Sequence, residues 1–414
     1  MTIVSDGLRS DGSAVREGQS HLRPQILHVA TRYLRGGSER RIRDIARSFP
    51  EADHHLLLGR EADADLARRD VEPASITIMP TLVRRPAPLR DLLTLGRLLR
   101  LIRVNRYDLV VTHQSKAGVL ARAAARLRGV PAIHSLSMAN FGPGYPGWQT
   151  RIFRFIETRL AGTTAAYVVA GADLSRTYAE IGVPPEHLHV VRSGVPLPGA
   201  DRPGAVKSRV CKRFGLPQDR PLLLYLGSLE QRKNVLDLPR LLTQLSAPTP
   251  SSRPFLVVAG EGPLSDRLAR ALTEAGLDDD AKLLGYVDEP RPLVSAADVV
   301  ILLSSAEGVP QVLVQAAAAG TPFVAYAVDG VRELIELGAE GVGVPLGDLT
   351  AAASTLMDVL GREQPSNPAR IDLTSWSPTA IRSEYRRVIG AVLESGTGIT
   401  VDRSDRDERS VTAW

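Results

Sequence analysis

The sequence predicts an α/β protein with two doubly wound, Rossmann-like domains that face a central cleft. Short apolar runs alternate with helical patterns from Pro24 to about Val195, and a second series of the same kind starts at Pro221. Such alternation is typical of parallel βαβ units. At 414 residues the chain is also longer than one hydrophobic core usually supports. We therefore expect two parallel sheets, with ligands bound beyond the carboxyl ends of their strands.

Each expected strand is a run of apolar residues bounded by polar or turn residues. In the first half these runs are QILHVA from Gln25, HHLLLG from His54, SITIMP from Ser75, DLVVTH from Asp108 and AAYVVA from Ala165. In the second half they are PLLLYLG from Pro221, PFLVVAG from Pro254, AKLLGY from Ala281, ADVVILL from Ala297 and TPFVAYA from Thr321.

Shifts in composition set the expected domain boundaries. The segment PLPGADRPGAVKSR is rich in proline, glycine and charge, which is typical of a linker. We expect a disordered leader over 1–22, a first domain over 23–197, a linker over 198–219, a second domain over 220–377, a helix over 378–395 and a disordered tail over 396–414.

Composition also narrows the class of protein. The net charge of +5 comes almost wholly from arginine, which a biased genome explains and which also suits anionic substrates or a membrane surface. Cys211 is the only cysteine, so disulfides within the chain and cysteine-rich metal sites are excluded. Nucleic acid is not an expected partner, because no arginine cluster is interleaved with aromatics. With no apolar run of membrane-spanning length and no secretory signal, a cytoplasmic location is expected.

One helical pattern bears on membranes. In DLLTLGRLLRLIR, from Asp91, leucines gather on one face of a helical wheel and arginines on the other. A packed surface helix explains this pattern, and so does a basic amphipathic helix resting on anionic lipid. The second interpretation would place the protein peripherally at the inner face of the membrane.

The most informative stretch is SSAEGVPQVLVQAAAAG, from Ser304. An apolar run ends at Leu303, Glu307 follows in a polar segment, and a small-residue helix then carries Gln315 about two turns on. A carboxylate beside a helix N-terminus, whose N–H groups favour anions, suits a ligand with hydroxyls at one end and phosphates at the other. A nucleotide-sugar fits this description.

Other strand ends carry the remaining candidate residues. In GSLEQRKN, Arg232 and Lys233 follow a strand and make a candidate diphosphate clamp, although an exposed basic pair would look the same. Backbone at Gly285 and Tyr286 is placed to reach a nucleobase. In the first domain, Gly36-Gly37 follows the first strand and His113 ends the strand DLVVTH; a tight turn and a structural histidine are the plain alternatives.

Several other sequence motifs lack the surrounding secondary structure that their usual functions require. GPGYPG, from Gly142, matches G-x-G-x-x-G, but no strand precedes it, which argues against a dinucleotide-dependent oxidoreductase. Acidic runs at 63–65 and 278–280 are typical of solvated turns. We predict no metal ion and no cofactor.

Taken together, these pieces resemble the retaining, GT-B-type glycosyltransferases of family four, from Gln25 to about Leu393. The matching segments include LRGGSERR, DLVVTHQSKAGVLARAAARLRGVPAIHS, GSLEQRKN, VVAGEGPLSDRL and EGVPQVLVQAAAAGTPFVA. The resemblance implies a nucleotide-sugar donor held by the second domain, an acceptor held by the first, and a last helix that crosses back to the first domain.

The resemblance also implies roles for single residues. Lys233 matches the lysine that holds the donor diphosphate, and Glu307 matches the first glutamate of an E-x7-E pattern that contacts the donor sugar. Gly37 matches a loop glycine that faces the transferred sugar, and His113 matches a histidine at the same strand end. Three positions depart from the pattern. Gln315 replaces the glutamate that grips the ribose, Ser228 replaces an arginine of the clamp, and Ser137 stands where a cleft histidine is common.

The sequence thus predicts transfer of a hexose-like sugar from a UDP- or GDP-type donor to a saccharide, lipid-linked or small-molecule acceptor, with retained anomeric configuration. Lys233, Glu307 and His113 are the expected catalytic residues, and Gly36 and Ser137 lie on the acceptor side. The expected donor-binding residues are Gly37, Ser228, Arg232, Gly285, Tyr286, Gly308, Val309, Gln311 and Gln315. The alternative is a homologue that binds the donor but has lost transfer, motivated by Ser137 and Gln315.

Overall fold

Two parallel sheets, one in each half of the chain, organise the fold. The computed structural model describes residues 23–34, 37–142, 145–195, 203–245, 253–362 and 371–397. Within these ranges the first sheet has seven strands in the order β3-β2-β1-β4-β5-β6-β7, and the second has six in the order β10-β9-β8-β11-β12-β13. Because both orders reverse at the first strand of the domain, each sheet is doubly wound and opens a crevice there.

The strands end at the residues where the candidate loops begin. The first sheet contains β1 (Gln25–Ala30), β2 (Asp53–Gly59), β3 (Ser75–Met79), β4 (Leu109–His113), β5 (Ala132–Leu136), β6 (Ala166–Val169) and β7 (Leu188–Val190). The second contains β8 (Leu222–Leu226), β9 (Phe255–Ala259), β10 (Ala281–Gly285), β11 (Val299–Leu302), β12 (Phe323–Tyr326) and β13 (Gly341–Val344).

Helices cover both faces of each sheet. The first six are α1 (Gly37–Ser48), α2 (Ala64–Val71), α3 (Pro88–Asn105), α4 (Ser115–Arg128), α5 (Gly147–Ala161) and α6 (Ala172–Glu180). The others are α7 (Pro203–Phe214), α8 (Asp237–Gln244), α9 (Ser265–Glu274), α10 (Arg291–Ala296), α11 (Gln311–Ala319), α12 (Val331–Glu336), α13 (Leu349–Leu360) and α14 (Pro378–Thr397). None of the described helices is both long enough and apolar enough to cross a bilayer.

The predicted fold class is confirmed, and its two-domain pattern has a simple physical origin. The central strands of both sheets are buried on both faces, as parallel strands between helical layers must be. Apolar clusters lie on either side of the second sheet, so that Leu224 and Val300 face one layer while Leu223 and Ile301 face the other. Strands β5, β7 and β13 were not among the predicted strands.

The region predicted as a linker differs from the prediction. Helix α7 occupies 203–214, and its Val206, Val210 and Cys211 are buried in the core of the second domain. Val210 and Cys211 lie four and five positions after Val206, so the three residues share one apolar face of the helix. The second domain therefore includes α7, and Pro203 and Gly204 open a helix in place of an extended linker. The predicted leader over 1–22 and the tail from 398 lie outside the described residues.

The last helix belongs to the first domain by its packing. On α14, Ile381, Tyr385 and Val388 are buried against strand residues of the first sheet, including Ile26 and Val111. This arrangement matches the crossing-back helix that the family resemblance implies.

Candidate active site

Glu307 lies at the centre of the site, between two cations. It follows β11, whereas Lys233 ends a short 3₁₀ turn, Gln231–Lys233, after β8. Because β8 and β11 are neighbours in the sheet, residues 74 positions apart meet: Nζ of Lys233 donates to Oε1 of Glu307, and Nη1 of Arg232 lies 3.1 Å from the same oxygen. Lys233 and Glu307 are thus in contact at the carboxyl edge of the second sheet.

Charge keeps this carboxylate ionised although it is buried. The side chain of Glu307 is 10% exposed and that of Lys233 is 13% exposed. Burial alone would raise the pKa of Glu307, but the positive charges of Lys233 and Arg232 outweigh it and hold the pKa below its ordinary value. The site therefore contains a buried, hydrogen-bonded ion cluster with one positive charge in excess.

Backbone contacts fix the two loops against each other. The carbonyl oxygen of Arg232 accepts from the N–H of Ser305 at 2.9 Å, and Nη1 of Arg232 donates to the carbonyl of Ala306 at 2.6 Å. Asn234 adopts the left-handed conformation, φ 48°, and donates to the carbonyl of Leu303 at 2.9 Å. A non-glycine residue in this conformation costs energy and marks a turn that its contacts must hold.

The remaining donor-side residues surround this cluster. The carbonyl of Ser228 accepts from the hydroxyl of Tyr225 at 2.9 Å. The N–H of Tyr286 donates to Oε1 of Glu261 at 3.3 Å, and Gly285 has a φ of 68° that suits glycine. On α11, Gln311 and Gln315 are one turn apart, and within the described residues the side-chain oxygens of both are buried without a hydrogen-bond partner.

Two glycines in the loop after β9, Gly260 and Gly262, serve protein packing. A Cβ at Gly260 would lie 1.9 Å from the carbonyl oxygen of Gly227, and one at Gly262 would lie 2.5 Å from that of Leu229. The loops after β8 and β9 are therefore in backbone contact, and the close approach that these glycines allow is to the protein.

The two domains meet directly beside Glu307. A Cβ on Gly308 would lie 1.7 Å from the carbonyl oxygen of Ser137, which follows β5 of the first domain. A Cβ on Gly171 would lie 2.6 Å from Cγ2 of Val309. Ser137, Gly308 and Val309 thus lie at one junction next to the ion cluster.

A second interdomain contact lies at α12. Arg192 of the first domain forms an ion pair with Glu333, whose other oxygen accepts from the N–H of Ala172 at 3.2 Å. Oδ2 of Asp173 accepts from the N–H of Gly330 at 3.0 Å. The sequence pattern did not single out Arg192 or Glu333, because their pairing depends on the relative placement of two domains.

His113 lies at the carboxyl end of β4, buried and only 2% exposed. It belongs to a row of imidazoles that we call the histidine chain: Nε2 of His113 is 3.3 Å from Nδ1 of His28, and Nε2 of His28 is 3.0 Å from Nδ1 of His54. Burial, with the charge of Arg41 as a second cause, lowers the pKa of His113 to about 3. Burial likewise lowers the pKa of the other two, so all three rings are neutral at pH 7.

Neutrality fixes the direction of the hydrogen bonds in the histidine chain. Nε2 of His54 lies 2.9 Å from the carbonyl oxygen of Phe49, which can only accept, so that nitrogen carries the proton. Nδ1 of His54 then accepts from His28, and Nδ1 of His28 accepts from His113. His113 is therefore the tautomer protonated on Nε2, with Nδ1 left as an acceptor.

Sequence reasoning missed two polar residues at this edge. Gln114, next to His113, has a φ of 65°, and its amide holds the loop after β1 through both the N–H and the carbonyl of Arg32, each at 3.1 Å. Arg41 is 1% exposed and donates to the carbonyl of Val191 at 2.9 Å. Gly37 is the first residue of α1, and Gly36 lies outside the described residues.

In the described ranges, histidine, cysteine and carboxylate side chains form no group of three with metal-binding geometry. The absence of a metal stays a prediction, since a diphosphate ligand could itself contribute to a metal site.

Two facing Rossmann-like domains, with a carboxylate and two cations in the crevice between them, define the GT-B class of enzyme. Residues 207–371 match the family described as glycosyl transferases group 1, and residues 36–194 match the glycosyl transferase 4-like domain. The chain belongs to the group 1 glycosyltransferases.

Relatives with described activities support this assignment. The chain is 25% identical over 355 residues to an Escherichia coli UDP-Gal:alpha-D-GlcNAc-diphosphoundecaprenol alpha-1,3-galactosyltransferase, covering 82% of this chain and 89% of the relative. It is 30% identical to a D-inositol 3-phosphate glycosyltransferase of Nocardioides sp., covering 70% of each chain. It is also 30% identical to a 2-deoxystreptamine glucosyltransferase of Streptomyces kanamyceticus, covering 62% of this chain and 69% of the relative.

Solved structures show the same fold. Anabaena HepE in complex with UDP has a TM-score of 0.66 at 18% identity and covers 90% of this chain and 98% of its own. WaaG, a glycosyltransferase involved in lipopolysaccharide biosynthesis, has a TM-score of 0.64 at 14% identity, with 90% and 100% covered. At these identities the likeness concerns the fold.

Proposed function

We propose that this protein transfers a hexose-like sugar from a UDP-sugar to an acceptor hydroxyl, with retention of anomeric configuration. The observation that carries this proposal is the convergence of Lys233 and Arg232 on Glu307 beside the domain junction. UDP is the preferred nucleotide because a relative is named for UDP-galactose and a structural neighbour was solved with UDP.

Charge balance suggests how the donor binds. Glu307 is the counter-ion of Lys233, and a diphosphate carries more negative charge than one carboxylate. The diphosphate of the donor would therefore take Lys233 and Arg232, and Glu307 would turn its oxygens to the hydroxyls of the sugar. Cations preorganised in this way stabilise the charge that grows on the leaving UDP.

The buried amides of α11 support the nucleotide end of this arrangement. A buried carbonyl oxygen without a donor costs about 1–3 kcal/mol, so the oxygens of Gln311 and Gln315 favour a ligand that brings hydroxyl groups. The ribose of a nucleotide supplies two such groups. Gln315 also supplies an N–H donor, although it lacks the charge that a glutamate would bring.

The reaction step that we propose is a front-face attack. The acceptor oxygen bonds to the anomeric carbon on the side from which UDP leaves, the bond from that carbon to the diphosphate oxygen breaks, and the acceptor proton passes to the departing phosphate oxygen. His113 and Ser137 lie on the first-domain side of the site, and neither is a carboxylate that could act as a nucleophile. The proposed step therefore involves no covalent glycosyl-enzyme intermediate. Nδ1 of His113 is left to accept a hydrogen bond from a sugar hydroxyl.

Replacement of Lys233 tests the assignment. Lys233→Ala should lower kcat by about two to three orders of magnitude, the typical effect of removing one group that stabilises transition-state charge. Lys212→Ala, which removes an exposed lysine on α7, is the matched control and should keep the rate. A Lys233→Ala enzyme with unchanged turnover would contradict the proposal. Binding of UDP without transfer to any acceptor would favour the alternative of a donor-binding homologue.

We further propose that helices α3, α4 and α5 rest on an anionic membrane. These helices pack side by side on one face of the first sheet. Of fourteen large hydrophobic side chains that are exposed in the described part of the chain, they carry eight: Leu89, Leu92, Leu93, Val104, Leu127, Trp148, Ile152 and Phe155. We call this set the apolar face.

The charge of the same region complements anionic lipid. Residues 84–162 contain fourteen Lys and Arg but only three Asp and Glu, a net charge of +11, whereas the whole chain carries +5. None of the three acids is exposed: Asp91 pairs with Lys116, Asp108 accepts from the backbone of Gln25, and Glu157 is buried. Each basic residue near an anionic surface contributes about 1 kcal/mol to binding.

Vesicle sedimentation tests this location. The protein should bind vesicles with anionic lipid and should not bind zwitterionic ones, and Phe155→Ser should weaken binding by removing an anchor from the apolar face. Leu346→Ser is the matched control, because Leu346 is 48% exposed but lies in the second domain. Equal binding to both kinds of vesicle, or equal effects of the two variants, would contradict the proposal.

A further inference from the structure

The first domain contains a basic cavity outside the site described above. Its volume is about 490 Å³, and its lining includes the side chains of Arg60, Arg84, Arg85 and Arg90. Among the described lining residues Glu61 is the one carboxylate, so these residues carry three positive charges in excess. Within the described ranges none of the four guanidinium groups forms a salt bridge, so the charge is available to a ligand.

The cavity opens at the edge of the sheet that faces the cleft. Arg60 follows β2 directly, and Arg84 and Arg85 follow β3, so all three come after the carboxyl ends of parallel strands. A Cβ on Gly59 would lie 2.2 Å from the carbonyl oxygen of Thr31 and 2.4 Å from that of Leu82. The loops after β1, β2 and β3 are therefore packed into one surface.

Strand spacing gives the distance to the domain junction. Ser137 follows β5, and β5 is three strands from β2 in the sheet. At about 4.8 Å per strand, the cavity lies roughly 15 Å from the point where Ser137 meets Gly308. A saccharide that carries a phosphate or diphosphate group at one end spans a distance of this order.

The segment that supplies the arginines is held in place. Nζ of Lys116, at the start of α4, donates to the carbonyl of Arg85 at 2.6 Å and pairs with Asp91 at 2.5 Å. Asp91 in turn accepts from the N–H of Ala87 at 3.0 Å. The backbone that presents Arg84 and Arg85 is thus anchored before a ligand arrives, which lowers the entropic cost of binding.

Tyr145 lies within electrostatic range of both Arg84 and the ion cluster. Its hydroxyl donates to the carbonyl of Ala139 at 3.0 Å, after β5. Burial raises the pKa of Tyr145, and the charges of Arg232, Glu307 and Arg84 act on it as well. Arg84 and the ion cluster are therefore each near enough to Tyr145 to act on its ionisation.

We infer that this cavity binds the phosphate or diphosphate group of the acceptor. This inference rests on the proposed function and specifies the chemical class of its acceptor. Guanidinium groups bind phosphate oxygens through paired, charge-assisted hydrogen bonds, and a neutral acceptor would leave four unpaired arginines without a ligand. The acceptor class is accordingly a phosphorylated saccharide, whether its phosphate is free or attached to a lipid.

Calorimetric titration of inorganic pyrophosphate into the full chain saturated with UDP tests the inference. UDP blocks the donor diphosphate site, so remaining pyrophosphate binding reports the cavity. Arg60→Gln combined with Arg85→Gln should weaken that binding at least tenfold for each arginine, while UDP affinity stays unchanged. The matched control is Arg267→Gln with Arg270→Gln on α9, which removes the same charge from an exposed helix of the second domain.

Three results would overturn the inference: no pyrophosphate binding in the presence of UDP, equal weakening in both double variants, or loss of UDP affinity in the cavity variant. UDP binding by the wild-type protein is measured in the same series, so a failed donor proposal is seen separately. Competition by glucose phosphate would support a soluble acceptor, and stronger competition by farnesyl diphosphate would support a lipid-borne one.

Discussion

Gly308 offers the sharpest test of the role of the domain junction. In Gly308→Ala the added Cβ would lie 1.7 Å from the carbonyl oxygen of Ser137, a backbone atom that cannot rotate away. An ordinary contact between carbon and oxygen needs about 3.4 Å, so the two loops must separate by roughly 1.7 Å. The strain falls between the domains and not within either of them.

The size of the effect follows from this displacement. Reacting groups that come from two domains lose alignment when the domains cannot close, and a displacement of about 1 Å can lower a rate 100-fold. We therefore expect kcat/KM of Gly308→Ala to fall about 100-fold. UDP affinity should change less than about tenfold, because Lys233, Arg232 and Glu307 all belong to the second domain.

The assay compares turnover, UDP binding and unfolding temperature in Gly308→Ala and in Gly162→Ala. Gly162 is the matched control, since nothing lies within 4 Å of a Cβ placed there and its φ is −74°. The control should behave as wild type in all three measurements. Wild-type turnover in Gly308→Ala would refute the reasoning, and loss of UDP binding together with a collapsed unfolding temperature would show damage within the second domain instead.

Three further outcomes are expected. The three imidazoles of the histidine chain are neutral in the folded protein but take up protons below about pH 6.5 when the protein unfolds. The free energy of unfolding should therefore be at its full value above that pH and fall from there toward pH 3, by up to about 1.4 kcal/mol per pH unit for each histidine. Urea titrations at several pH values measure this, and a free energy of unfolding that does not change with pH would contradict it. Glu157→Ala should cost about 3–5 kcal/mol by leaving Arg122 buried and unpaired, whereas Glu384→Ala, which breaks an exposed pair with Arg387, should cost less than about 1 kcal/mol. Gln315→Glu should tighten UDP binding about tenfold in calorimetry by adding a charged acceptor, and weaker binding would argue against ribose at this position.

Most of the fold could be predicted because apolar runs indicate buried parallel strands. The strands that were not predicted lack such a continuous apolar run. β5 reads AIHSL, in which Nδ1 of the buried His134 lies 2.8 Å from the hydroxyl of Thr112. β13 reads GVGV, in which a Cβ on Gly341 would lie 2.1 Å from the ring of Phe323. Polar or glycine-rich strands lack the apolar signal, and only their tertiary partners explain them.

The residues on the second-domain side of the candidate site could be predicted because each lies in a loop directly after a recognisable strand. Lys233 and Glu307 each follow a recognisable strand, and the sheet order then brings them together. The first-domain side depends on long-range contacts, such as the row of three histidines and the placement of Arg41, that no local pattern encodes. The same holds for the cavity, whose arginines come from two loops and a helix.

The packing of α14 has a consequence for how the chain folds during synthesis. Residues 25–190 contain every strand of the first sheet, yet the wall that covers one of its faces includes Ile381, Tyr385 and Val392 from the end of the chain. At roughly 5–20 residues per second, a ribosome needs about ten seconds or more to proceed from Val195 to α14. During that interval the first sheet is complete, but α1, through residues such as Ile45 and Phe49, covers only part of this face, while the second domain can already fold. The part of the face that α14 covers must therefore be shielded by other means until α14 is made, and a truncation before Pro378 would leave it exposed permanently.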